Sequence, residues 1–278
     1  MTATIPLHRH GDLSHDCVHL KAVNAGDVKR NMVEYAHRDD FYIFGIILRG
    51  SLRCDIDFVR RDFREGDLQF IRPGQVHRYV SGGDFEGRML MVESNLVGDK
   101  YEPVFAEAAL KGVTAGGDPE VISELAALFD MIDRMINAGR DMDIVRDLAG
   151  AFIGIIAERF RAALASRPVD GGRRLGIVLE LNSLLDRYIA ENHSPAFYAE
   201  KLNITPAYLG AAVRGVTGWS AGAYIRNEIV LRAKRLLCHT DLSVKEVAAS
   251  LGFEDSAYFS RLFSKTAGVS PARFRQIP

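Results

Sequence analysis

Two histidines, His37 and His77, are the residues of the front half whose side chains could do the most chemistry. An imidazole can ligate a divalent metal or exchange a proton near neutral pH. Two imidazoles alone make a poor metal site, and Asp39 or Asp40 could supply a third ligand. Four more histidines, His8, His10, His15 and His19, lie in the polar leading segment "MTATIPLHRHGDLSHDCVHL", where a solvated or edge-strand role is expected. Cys17, Cys54 and Cys238 are odd in number and scattered without ligand spacing, so they read as reduced thiols. No Ser/His/Asp constellation, phosphate loop or nucleotide fingerprint accompanies them. The expectation is no catalytic residue, no metal and no cofactor.

These groups must be held by a chain long enough for two domains: 278 residues, 47% apolar and 26% charged. No run approaches the ~18–20 apolar residues of a membrane span. The leading segment holds no signal-peptide core, so a cytoplasmic protein that does not meet a membrane is expected. The net charge of -1 hides an asymmetry. From Arg173 onward there are 14 Lys/Arg against 9 Asp/Glu, a balance of +5, and residues 1–172 carry the opposite excess. A basic C-terminal part suits a polyanionic partner.

From about Val33 to Glu93 the texture is that of strands. "FYIFGIILRG" is a continuous apolar run, and "LRCDIDF" alternates with Leu52, Cys54, Ile56 and Phe58 on one face. Gly-bounded strands of this kind predict an antiparallel barrel or sandwich. Beyond Pro119 the period becomes helical. "PEVISELAALFDMIDRMINAG" carries one apolar stripe, whereas "DIVRDLAGAFIGIIAERFRAALA" is apolar over much of its circumference. Such a helix must be covered, either by the barrel or by a second copy of itself.

The last hundred residues are helical and contain one unit twice. "AYLGAAVRGVTGWSAGAY" (207–224) aligns with "AYFSRLFSKTAGVSPARF" (257–274) at an offset of fifty. Upstream, "AEKLNI" aligns with "AASLGF" at an offset of 49. Each copy reads as helix, tight turn, helix, with Asn203 or Gly252 able to take the left-handed conformation. That is helix-turn-helix grammar, in which a second helix can enter a DNA major groove. Tyr208, Leu209, Tyr258, Phe259, Leu262 and Phe263 are core by periodicity. The intervening helix, at 1.5 Å per residue, spans roughly 28 Å, comparable with the ~34 Å between successive grooves on one DNA face.

"LRAKRLLCHTDLSVKEVAASLGFEDSAYFSRLFSKTAGVSPARFR" resembles the signature of AraC/XylS-type transcription regulators. The resemblance implies a double helix-turn-helix domain that binds double-stranded promoter DNA. Carried over, the base-facing positions are Ala207, Gly210 and Ala211 in the first unit and Ser256, Ala257, Ser260 and Arg261 in the second. Lys265, Arg214, Lys201 and Arg226 are candidate phosphate partners or bare surface.

The front half, "HRDDFYIFGIILRGSLRCDIDFVRRDFREGDLQFIRPGQVHRY", resembles the cupin-like sensor domain common in that family. Metal-binding cupins use a His-x-His pair, a following Glu and a later His; here Asp39 breaks the pair and the Glu is missing. The resemblance therefore implies a small-molecule effector, with His37, Tyr42, Arg72 and His77 as polar lining. Arg72 and Arg88 could bind an anionic ligand group, or pair with Asp55, Asp57 or Glu86.

The expected architecture is α+β: a cupin-like antiparallel β-barrel over 1–105, a helical dimerisation segment over 106–166, a linker at 167–174, and an all-α domain over 175–278. The two helix-turn-helix units fall at about 195–217 and 243–267. The expected function is effector-controlled, sequence-specific regulation of transcription by a homodimer, with RNA polymerase a further partner of an activator. Its rivals are an effector-independent DNA-binding protein whose barrel only dimerises, and a cupin enzyme with a helical appendage.

Overall fold

The computed structural model describes residues 7–8, 17–24, 37–166 and 172–276. The described chain falls into two compact units, Pro6–Arg167 and Pro168–Pro278.

The first unit is built on an antiparallel sheet. Its strands are β1 (Leu7–His8), β2 (Val18–Asn24), β3 (Arg38–Asp39), β4 (Tyr42–Ile56), β5 (Val59–Arg64), β6 (Asp67–Ile71), β7 (His77–Val92) and, after helix α1 (Ser94–Lys111), β8 (Ala115–Gly116). The main sheet runs β2-β7-β4-β6-β8, with β5 on β4, and β1 pairs separately with β3. Helices α2 (Pro119–Asn137) and α3 (Met142–Ala165) follow.

The long apolar run of β4 is explained by burial on both faces. Phe44 and Ile46 join Leu90 and Val92 of β7 in a core that includes the helices. Ile43 and Ile47, pointing the other way, join Met89, Met91 and Phe85 in a second core. The period of two along a strand sends neighbours to opposite sides. Leu52 and Cys54 continue the second core. Gly50 sits between them and the first stretch, at φ 78°. A Cβ there would lie 1.6 Å from the Asp84 carbonyl oxygen, so only glycine allows β7 to approach.

Phe58, expected to extend the buried face of "LRCDIDF", is instead exposed in the β4–β5 hairpin. Ile56 pairs with Val59, and the two turn residues, Asp57 and Phe58, both have positive φ. That is the two-residue turn that matches strand twist. Asp57 is held by its carboxylate, which accepts from Gln75 Nε2 and the Val76 amide.

The helical segment begins at Ser94 rather than 106, directly after β7. The nearly all-round apolar helix α3 is covered by its own chain. Phe152, Ile153, Ile156 and Phe160 are at most 1% exposed, in the core shared with the sheet and α1. Each such side chain stabilises the fold by roughly 1.5–3 kcal/mol through burial.

The second unit is all helix: α4 (Gly172–Tyr188), α5 (Pro195–Lys201), α6 (Pro206–Thr217), α7 (Ala221–His239), α8 (Val244–Ser250), α9 (Ser256–Ala267) and α10 (Pro271–Arg275). Side-chain caps set most of the starts. Ser194, Thr205, Ser220, Asp255 and Ser270 each accept a first-turn amide, and Ser243 with Glu246 forms a capping box. Among the described residues no helix is long and apolar enough to cross a membrane.

Candidate functional site

The repeat legible in the sequence is repeated hydrogen bond by hydrogen bond. After α5, the Asn203 amide donates to the Glu200 carbonyl and the Ile204 amide to Ala199; after α8, Gly252 donates to Ala249 and Phe253 to Ala248. Asn203 (φ 52°) and Gly252 (φ 81°) make the left-handed step that reverses the chain. Ala199 and Ala248 are fully buried. The second helices, α6 and α9, are both 12 residues long, and both end at a left-handed glycine, Gly218 and Gly268.

Each second helix buries one face and leaves the other in solvent. On α6, Leu209, Ala212 and Val213 are fully buried, whereas Ala207, Ala211 and Arg214 are exposed and Gly210 is half-buried. On α9, Phe259 and Phe263 are buried, whereas Ala257, Arg261 and Lys265 are exposed. Tyr258, expected in the core, is 53% exposed and joins that outer face. Tyr208 and Leu262 are half-buried, as is Leu202. The two faces thus differ in chemistry: methyl groups and backbone with one guanidinium, Arg214, near the end of α6, and a phenol and two cations on α9.

Two hydroxyls of α9 are engaged by the helix's own backbone. Ser260 Oγ donates to the Ser256 carbonyl at 2.8 Å, and Ser264 Oγ to the Ser260 carbonyl at 2.7 Å. Ser260 therefore keeps lone pairs to accept with, but its proton is engaged. Arg261 lies 3.6 Å from Asp255, with both side chains more than 60% exposed. A pair that open holds the guanidinium weakly.

Other cations of this unit are structural. Arg232 pairs with Asp186 and Glu228, Arg275 donates to the carbonyls of Leu237 and Leu242, and Lys201 stacks over the rings of Tyr188 and Phe197. Arg214 and Arg226 are exposed.

In the sheet unit the four residues expected to line one ligand site are split between two places. Tyr42 faces the helices, 6.5 Å from Phe105, and Arg72 reaches Glu102 of α1 at 2.7 Å. Burial raises the Tyr42 phenol while the neighbouring Arg72 opposes it. Arg88 likewise lies over Phe129 and beside Glu86.

His37 and His77 are elsewhere, cross-bridged by two backbone hydrogen bonds with ring centroids 4.2 Å apart. Asp39 joins them, its Oδ2 3.3 Å from His77 Nε2, and Asp40 is exposed. Among the described residues the buried polar side chains are His37, Asp39, Gln69 and His77. Burial, with Asp40 adding to it, pushes the Asp39 carboxyl up to about 7. Tyr79 is near the same place, its ring 5.9 Å from His77. Burial, Cys54 and Asp39 push its phenol well up, and Gln69 acts against them.

Sequence reasoning named Asp39 only as a substitute ligand, and it missed Gln69 and Tyr79. The signal for Gln69 was a polar residue inside the apolar strand "DLQFI". Of the leading histidines, His10 and His15 lie outside the described residues, His8 is in β1, and His19 is half-buried in β2. All three cysteines are free thiols.

A double helix-turn-helix unit and, in the same chain, an antiparallel sheet unit with a buried polar cluster are the parts of a DNA-binding regulator with a sensor-type domain. Comparison with known proteins identifies both parts: a family profile described as a helix-turn-helix domain matches residues 198–277, and one described as an AraC-like ligand binding domain matches residues 25–148. Its two domains are those of AraC-type transcription regulators. It is similar to the HTH-type transcriptional activator RhaR of an Enterobacter species, 26% identical over 273 residues, covering 92% of both chains. It is also similar to the Msm operon regulatory protein of Streptococcus mutans, 22% identical over 240 residues, covering 85% of this chain and 84% of that one. Among solved structures, wild-type ToxT of Vibrio cholerae bound to unsaturated fatty acid is 14% identical with a TM-score of 0.44, covering 93% of this chain and 94% of that one.

Proposed function

We propose that this regulator acts in the cytoplasm as a homodimer on promoter DNA, and that its second helix-turn-helix unit supplies most of the base discrimination. The observation that carries this division is the contrast between the two exposed helix faces. Ala207, Gly210 and Ala211 offer no hydrogen-bonding side chain, and an alanine can at most touch a thymine methyl. Arg261, in contrast, can make the bidentate contact that reads a guanine, with Ser256, Ala257 and Ser260 beside it. Lys265 and Arg214, both exposed, would meet phosphates, which position a protein without reading sequence.

Effector control would act by biasing the arrangement of the DNA-binding units, and so the half-sites a dimer can span. Because RhaR is described as an activator, RNA polymerase is a proposed partner. The burial of α3 within its own chain moves the proposed dimer contact to the outer surface of α2 and α3, where Met131 is 38% and Ile144 is 48% exposed. A dimer is expected in sedimentation at tens of micromolar, weakened by Ile144→Glu; a monomer at that concentration would refute it.

The test of the base-reading division is titration of labelled duplexes. Arg261→Ala should cost about 1–3 kcal/mol on the cognate site and little on unrelated DNA. Arg214→Ala should weaken both alike. Equal losses for Arg261→Ala on both duplexes would contradict the assignment.

A further inference from the structure

We propose that His37, Asp39 and His77 form a site for one first-row divalent cation inside the sheet domain. The inference does not depend on the DNA-reading assignment. Its ligand set is two imidazoles and one carboxylate, different from the His-x-His and Glu set that the sequence lacks.

The first argument is geometry. The three candidate ligand atoms all lie within 4.8 Å of one another, and all three residues are buried. Ligands held about 2.1 Å from an ion at angles near 90–110° are roughly 3.0–3.4 Å apart. The 3.3 Å between His77 Nε2 and Asp39 Oδ2 falls in that interval. It is longer than the ~2.7–2.9 Å of a tight charge-assisted hydrogen bond.

The second argument is the tautomer of His77. Its Nδ1 is 3.3 Å from the carbonyl oxygen of Gln75, which can only accept. With the Nδ1 proton donated to that oxygen, Nε2 is the ring nitrogen that faces Asp39. A ring nitrogen donating to a backbone carbonyl while the other faces outward is the usual arrangement of a ligating histidine.

The third argument is pre-organisation. His37 and His77 exchange backbone hydrogen bonds of 3.0 and 2.8 Å, and the Asp39 carbonyl accepts from the Gly74 amide at 2.8 Å. The ligand backbone is thus pinned before any ion arrives. Two nitrogens and one oxygen suit zinc, cobalt, iron or manganese over calcium or magnesium, which prefer all-oxygen sites.

The experiment uses the full chain, stripped with chelator and titrated with Co2+ and then Zn2+. One Co2+ per chain is expected, with visible absorption of a nitrogen- and oxygen-ligated ion that Zn2+ displaces. Asp39→Asn and His37→Gln should each weaken binding more than tenfold, with thermal unfolding confirming that each variant folds. The double variant His10→Ala/His15→Ala should bind like the parent, separating the site from those two leading histidines. Absence of stoichiometric binding by the parent would overturn the proposal. So would binding that survives Asp39→Asn and His37→Gln, or that is lost with His10 and His15.

Discussion

Tyr258 and Phe259 are adjacent aromatic residues with opposite fates. Phe259 is fully buried, 5.3 Å from Phe253 and 6.0 Å from Phe263, whereas Tyr258 is 53% exposed. Phe259→Ala should cost about 3–5 kcal/mol in denaturant unfolding, the range for emptying an aromatic site. Tyr258→Ala should change stability by less than about 0.5 kcal/mol; a loss as large as that of Phe259→Ala would return Tyr258 to the core. Apolar periodicity cannot separate the two, because one helical step of about 100° places a neighbour on the edge of the buried stripe. The phenol's hydroxyl lets Tyr258 sit in water. The same limit applies to Tyr42 and Arg72. Their residue types suited a ligand site, but the strand period turned Tyr42 to the helices, and Glu102, thirty residues beyond Arg72, claims the guanidinium.

At the level of elements, the turn of each helix-turn-helix was legible, because left-handed backbone admits few residue types. A Cβ on Gly252 would sit 2.2 Å from the Ala190 carbonyl oxygen, at φ 81°. Gly252→Ala should therefore destabilise the DNA-binding unit by more than the ~1–2 kcal/mol of the left-handed conformation alone. Thermal unfolding measures this, and a near-neutral substitution would contradict it.

The β4–β5 hairpin makes a pH-dependent contribution. Burial raises the Asp55 carboxyl, but hydrogen bonds from Arg60 and Arg78, at 3.1 and 3.0 Å, outweigh it and hold the group below its usual range. A depressed folded pKa means that its stabilisation is present above the unfolded value near 3.8 and is lost as pH falls through the lower folded value. Asp55→Asn should cost about 0.5–1 kcal/mol at pH 7, with the difference from the parent shrinking toward pH 3. A cost unchanged at pH 3 would refute it. What covers α3 was not legible: an all-round apolar helix declares that it is buried, without saying by which chain.

For the whole molecule, two domains of unlike texture and opposite charge balance were readable from composition and periodicity. The separation of His37 and His77 from Tyr42 and Arg72 was not, because it arises from which face of the sheet each side chain takes and from contacts with a distant helix. The central claim is that one chain presents two helix-turn-helix units of unequal reading power. The most direct measurement is binding selection from a randomised duplex library with the full protein, repeated with Arg261→Ala. The account expects the sharply specified bases to cluster under the second unit, with discrimination there relaxed by Arg261→Ala. If the half-site under the first unit is the more sharply specified, or if Arg261→Ala leaves the selected sequence intact, the claim is wrong.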